Sequence, residues 1–163
     1  MKIAIMTDSH ENWDNLKRAI KISNDHHCNY LLFAGDLISP QGIDILSTFK
    51  GDVKIVWGNN ENEKIGIIEK SNLYSNVGVF GEIYEETIDN TRIFMNHYPK
   101  VSYLAAKSND YDLCIYGHTH KLSNEFIDNC LLVNPGEIQG HKSNSATFMI
   151  YDTQKKNVEV IDI

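Results

Sequence analysis

The chain has 163 residues, 42% hydrophobic and 23% charged, with a net charge of −7 at pH 7, the composition of a soluble globular protein too short for two ordinary domains. No apolar run approaches membrane-spanning length and no Lys/Arg cluster is present, so neither a membrane nor a nucleic-acid partner is indicated. Three cysteines, an odd number without CxxC spacing, argue against a disulfide framework and for a reducing, cytoplasmic setting.

Residues 2–7 are a nearly unbroken apolar run, the pattern of a central parallel strand, with no signal-peptide pattern ahead of it. Asp8-Ser9-His10 follow. Asn12 is the expected N-cap of a helix to about Asp25, with Asp14 in its first turn and Trp13, Leu16 and Ile20 at helical spacing. His26 and His27 fall near its C-terminus and read as cap residues rather than ligands. A second strand, Tyr30–Ala34, ends in Gly35-Asp36. Ser39-Pro40 reads as N-cap and N1 of a short helix with Ile43, Leu46 and Phe49 inward and Gly51 as its stop. A third strand, Val53–Trp57, leads into Gly58-Asn59-Asn60-Glu61, and a helix is expected from Glu63 to Lys70. This βαβαβα rhythm implies parallel strands with right-handed crossovers.

The rhythm then changes. Residues 77–80, 82–89 and 91–96 are short β runs separated by Gly81 and the Asp89-Asn90 turn, and the last delivers His97. Pro99 opens a helix predicted to carry Val101, Leu104 and Ala105 on one face. A strand over 112–116 runs into Gly117-His118-Thr119-His120, and residues 125–127, 131–134, 146–151 and 157–163 read as hairpin-connected strands. No repeat, low-complexity segment or linker divides the chain, so one domain over 1–163 is expected. Pattern alone gives a mixed α/β class. Cys28, Cys114 and Cys130 read as small core residues.

Asp8, His10, Asp36, Asn59, His97, His118 and His120 all stand just after an apolar strand. In layered α/β folds strand ends feed a shared crevice, so groups placed there converge. Taken singly each has an ordinary reading: a solvated loop, a helix-capping aspartate, a turn residue, a core histidine. Taken together they read as a metal site, with room for two ions. Asp8 and His10, two apart, are expected to face together across the strand end while Ser9 points away. Oxygen and imidazole donors without thiolate suit Mn²⁺, Fe²⁺, Co²⁺, Ni²⁺ or Zn²⁺.

Asp-x-His, Gly-Asp, Gly-Asn, a lone His and Gly-His-x-His, in that order between Met1 and about Gly136, resemble the five motifs of the calcineurin-like metallophosphoesterases. The compact length further resembles the small YfcE-type phosphodiesterases, a subfamily similar to the retromer scaffold subunit. The resemblance implies a four-layer α/β/β/α sandwich, two mixed sheets flanked by helices. It implies a phosphodiesterase that hydrolyses small phosphodiesters through a hydroxide bridging two divalent transition-metal ions, Mn²⁺ first among them, roughly 3.5–4 Å apart. One ion would be held by Asp8, His10, Asp36 and His120, the other by Asp36, Asn59, His97 and His118, with Asp36 as the bridge.

Asn60 departs from the pattern. The family commonly has histidine there, assisting the leaving group, and a minority have cysteine. Asparagine donates a hydrogen bond but cannot give up a proton near pH 7, and general-acid help is worth on the order of 10²–10⁴-fold. Asn134-Pro135-Gly136 matches the family's turn, with Glu137 where serine is usual. His141 reads as a surface loop residue, with substrate contact as the lesser reading. Two alternatives stand beside the diesterase: a non-catalytic scaffold of the retromer-subunit type, and a phosphomonoesterase. The full set of seven ligands disfavours the first. The second needs extra positive groups, for which only Arg92, Lys100 and Lys142 offer themselves.

Overall fold

In the computed structural model, which describes residues 1–163, β1 (Lys2–Met6), α1 (Trp13–Asp25), β2 (Tyr30–Phe33), α2 (Gln41–Leu46), β3 (Asp52–Ile55), α3 (Lys64–Ser71) and β4 (Val77–Val79) follow one another. Their four strands run parallel. A second sheet takes β5 (Tyr84–Ile88), β6 (Thr91–Met95), β7 (Leu113–Ile115), β8 (Ser123–Ile127) and β9 (Cys130–Asn134), with α4 (Pro99–Lys107) between β6 and β7. Its order is β5-β6-β7-β9-β8, parallel in the centre and antiparallel at both edges. The chain then returns to the first sheet, where β10 (Thr147–Asp152) and β11 (Asn157–Asp162) give the order β11-β10-β1-β2-β3-β4.

Alternation along the strands separates the layers, because successive side chains leave opposite faces. On β1, Ala4 and Met6 join Leu16, Ile20, Ile43, Leu46 and Ile67 under the first three helices. Ile3 and Ile5 point the other way and meet Ile93, Met95, Leu113, Ile115 and Val133 between the sheets. Phe94, Cys114 and Leu132, on the far face of the second sheet, pack with Ala106 of α4. The layering is α/β/β/α. The central apolar layer fixes one sheet against the other, at about 1.5–3 kcal/mol per fully buried Ile or Leu, and so fixes the strand ends of both relative to one another.

Two local expectations change. On α4 it is Ser102 and Ala106, at i and i+4, that are buried, while Val101, Tyr103 and Leu104 are exposed. Small residues let the helix approach closely enough for Ser102 Oγ to donate to the Ile115 carbonyl at 2.8 Å. At the start of α2, Pro40 takes the N-cap place and Ser39 does not cap; its hydroxyl donates to Glu11 Oε1 at 2.7 Å. Cys28, Cys114 and Cys130 are buried and unpaired, and burial pushes the Cys28 thiol up to about 11. No helix is long and apolar enough to cross a membrane.

Candidate metal centre

Backbone bonds join the loop leaving β1 to that leaving β2, the loop leaving β6 to that leaving β7, and the segment after β9 to the first of these. Asp8 N donates to the Gly35 carbonyl (3.0 Å), His10 N to Asp36 (3.2 Å), Gly117 N to His97 (3.0 Å) and Gln139 N to Asp8 (3.0 Å). Five of the seven expected ligands have left-handed backbones: Asp8 (φ 53°), His10 (41°), Asp36 (60°), His118 (66°) and His120 (59°). For a non-glycine residue that conformation costs roughly 1–2 kcal/mol, less for Asp and Asn with their short polar side chains. β1 ends at Met6, so strand alternation is not what brings Asp8 and His10 together. Left-handed turns beyond the strand aim them. Gly117 is required by close approach, since a Cβ there would overlap Thr7 Oγ1 and crowd Asp8 Oδ2.

The seven side chains gather in two groups that meet at Asp36. In the first, Asp8 Oδ1 is 3.2 Å from His120 Nε2 and 3.5 Å from His10 Nε2, which is itself 3.4 Å from Asp36 Oδ2. In the second, Asn59 Oδ1 lies 2.7 Å from His118 Nδ1 and 3.1 Å from His97 Nε2, which is 3.6 Å from Asp36 Oδ2. Ligand atoms of Asp8, His10 and His120, and of Asp8, Asp36 and His97, each lie within 4.8 Å of one another. Asp8, Asp36, His97 and His120 are buried, His10 and Asn60 half-buried, Asn59 and His118 exposed. The group therefore opens to solvent on the Asn59 and His118 side.

Tautomers sharpen this picture. His120 Nδ1 is 2.6 Å from Glu137 Oε2, and His97 Nδ1 is 2.7 Å from the Ala34 carbonyl. Those oxygens only accept, so each Nδ1 carries the proton and each Nε2 presents a lone pair. The His120 lone pair then faces Asp8 Oδ1, and the His97 lone pair faces Asn59 Oδ1 and Asp36 Oδ2. Asp8 Oδ1 and His10 Nε2 are buried with no hydrogen-bond partner. Lone pairs turned on one another in a buried space are unfavourable unless a cation lies among them. The donors present fit divalent transition-metal ions.

Supporting groups hold the carboxylates. Asp8 Oδ2 accepts from Thr7 Oγ1 (2.8 Å) and His118 N (3.0 Å). Burial works to raise the Asp8 carboxyl, but His10, His97 and His120 together hold it below the usual aspartate range. Asp36 is gripped by Asn60 through its backbone N (2.9 Å) and Nδ2 (2.7 Å). Glu61, pushed up by burial and by Asp36, accepts from Leu37 N and Gly58 N, clamping the loop after β2 to that after β3.

Glu137 was legible only as a departure from a familiar turn. It is fully buried, and hydrogen bonds from His120 and Ser143 outweigh burial to hold its carboxyl below the ordinary glutamate range. A buried carboxylate behind a metal-binding histidine fixes its tautomer and raises its basicity. Of the other basic or imidazole candidates, Lys142 brings Nζ to 3.1 Å from His120 Nε2. Arg92 is turned to Asp112, with Nε 3.0 Å from Oδ2. Lys100 and His141 are exposed.

Residues 1–156 match the calcineurin-like phosphoesterase superfamily domain. The chain belongs to that superfamily. A phosphodiesterase of Methanocaldococcus jannaschii is 32% identical over 163 residues, covering 99% of this chain and 98% of the relative. A solved archaeal phosphodiesterase superposes at a TM-score of 0.93, with 32% identity and full coverage of both chains. The Escherichia coli phosphoesterase Yfce (TM-score 0.72, 17% identity, all of both chains) and Chaetomium thermophilum Vps29 (0.75, 18%, all of this chain and 95% of that one) share the fold.

Proposed function

We propose that this phosphoesterase is a metal-dependent phosphodiesterase acting on small phosphodiesters, with two divalent transition-metal ions. The observation that carries the proposal is the buried convergence of atoms able to ligate a metal. Asp8 Oδ1, His10 Nε2, His120 Nε2 and Asp36 Oδ2 face one another at 3.2–3.5 Å, and Asn59, His97 and His118 extend the set. Asp8, His10, Asp36 and His120 would hold one ion, and Asp36, Asn59, His97 and His118 the other. When bound, such ions supply Lewis-acid charge for the phosphoryl oxygens and make an ionised water available near neutral pH. Mn²⁺ is the first candidate, with Ni²⁺, Fe²⁺, Co²⁺ and Zn²⁺ compatible with the same donors.

The chain's own residues do the rest. Glu137 and Ala34 keep Nε2 of His120 and His97 unprotonated. Asn60 holds the shared carboxylate and offers an amide N–H, not a proton, to a departing group. The exposed side of Asn59 and His118 admits substrate. The folding unit is taken as residues 1–163, and three free buried thiols favour a reducing cytoplasm. A scaffold role draws only on fold likeness and leaves the facing lone pairs without a purpose. The test is hydrolysis of a bis-aryl phosphodiester by protein stripped with chelator and then given single metals. Restoration by Mn²⁺ or a neighbouring ion is expected, and full activity in metal-free protein, verified by elemental analysis, would end the proposal.

A further inference from the structure

Lys142 is carried on residues 139–146, a stretch whose His141–Ser145 segment is exposed. Exposure there does not mean free movement. Buried Glu137 receives Ser143 N (2.6 Å) and Ser143 Oγ (2.7 Å) on Oε1, while its Oε2 receives His120 Nδ1 (2.6 Å). One carboxylate therefore ties a candidate metal ligand to the residue next to Lys142. Backbone bonds from Ile138 N to Thr7 O (3.1 Å), Gln139 N to Asp8 O (3.0 Å) and Thr147 N to Glu137 O (3.0 Å) pin both ends of the stretch. The Lys142 ammonium reaches 3.1 Å from His120 Nε2, the nitrogen turned toward Asp8. Of the basic residues singled out, Arg92 is committed to Asp112, and Lys100 makes no ion pair or side-chain hydrogen bond.

An ion on His120 Nε2 and an ammonium on the same side of that ring repel one another. An anionic oxygen shared between them relieves the repulsion and satisfies both. We infer that Lys142 is a substrate-binding residue that takes a non-bridging phosphoryl oxygen, and that the Glu137–Ser143 link is the device that positions it. A lysine suits this task as a compact charge with three donors on a long stem. The added positive charge favours more highly charged phosphoryl groups, so Lys142 sets the balance between dianionic monoesters and monoanionic diesters. This inference rests on the metal-dependent phosphoesterase reading.

The experiment keeps the two separable by using inorganic phosphate and metal alone as probes. Calorimetry of Mn²⁺ binding is followed by phosphate binding to the Mn²⁺-loaded protein, for wild type, Lys142→Met, Lys142→Arg and Ser143→Ala. Loss of a charge-assisted contact should weaken phosphate binding by about 10-fold or more in Lys142→Met. Lys142→Arg should recover most of it, and Ser143→Ala should lose a few-fold through positioning. Mn²⁺ affinity should not fall in Lys142→Met, where loss of the ammonium relieves its repulsion of the ion, and should stay within about twofold in Lys142→Arg and Ser143→Ala, since none of these residues is a proposed ligand. In turnover, Lys142→Met should raise KM more for aryl monoesters than for aryl diesters, with kcat changed less. Unchanged phosphate affinity in Lys142→Met would overturn the inference, as would an equal loss of Mn²⁺ affinity. Should wild type hydrolyse no ester, the functional reading fails while the phosphate titration still decides the role of Lys142.

Discussion

Replacing Asp8 by asparagine should stabilise the metal-free protein while removing its response to metal. The Thr7 hydroxyl and the His118 amide donate to Oδ2, and an asparagine oxygen keeps both bonds. Oδ1 has no partner and lies 3.2 Å from His120 Nε2 and 3.5 Å from His10 Nε2. An amide nitrogen in its place turns an orphaned acceptor into a donor aimed at the His120 lone pair. Relieving a buried unsatisfied group is worth about 1–3 kcal/mol. Against that, the two bonds at Oδ2 lose their charge assistance, on the order of 1 kcal/mol. The net gain of about 1 kcal/mol or somewhat more corresponds to a rise in Tm of roughly 2–6 °C for a chain of this size.

The assay is thermal unfolding in chelator at pH 8.5, above the ordinary imidazole value of about 6.5. The Asp8 carboxyl, held below its usual range, is ionised there and buried. Metal at 100 times its Kd should then raise wild-type stability by about 2.7 kcal/mol and Asp8→Asn by much less, so the order of the two Tm values reverses. An Asp8→Asn protein that is less stable than wild type in chelator, or that gains as much from metal, would refute the lone-pair reasoning.

Asp36 sits between both groups, so Asp36→Asn should lose both ions or nearly all activity while His10→Ala weakens one site; elemental analysis and titration calorimetry separate these outcomes. Asn60→His should speed alkyl and nucleoside-type diesters by about 10-fold or more and leave activated aryl diesters nearly unchanged, read as rate against leaving-group pKa. An unaltered slope would mean that leaving-group protonation is supplied elsewhere or is not limiting. Arg92 holds the Asp112 carboxyl below its usual range, chiefly by direct hydrogen bonds. A lowered carboxylate contributes stability above its unfolded value of about 3.9 and loses it as pH falls through the folded value. Arg92→Met should therefore lower stability only slightly at pH 7 for this solvent-screened pair, read by denaturant unfolding, and the difference should vanish in acid unfolding below the folded value.

The layers and the convergence of the seven candidate ligands were legible because both are written in short-range pattern. An apolar strand followed by Asp, Asn or His marks a strand end, and a layered fold collects strand ends. The aiming was less legible. Asp8, His10, Asp36, His118 and His120 reach the centre through left-handed turns, and nothing in an Asp-x-His spacing distinguishes those from strand alternation. Glu137 stood out as an unusual residue, yet its task depends on meeting a histidine 17 positions earlier, a contact that only the closed sheet creates. On α4 the apolar pattern groups Val101, Leu104 and Ala105 on one face, whereas close helix–sheet approach buries Ser102 and Ala106.

The most direct measurement counts metal and rate together. Chelator-stripped protein is titrated with Mn²⁺ while bound metal per chain and bis-aryl phosphodiester hydrolysis are followed in the same samples. The expected result is no hydrolysis without metal and activity that reaches its plateau as occupancy approaches two ions per chain, with neither occupancy nor activity in Asp36→Asn. A plateau at one ion per chain, or hydrolysis that ignores occupancy, would contradict a two-ion centre joined at Asp36.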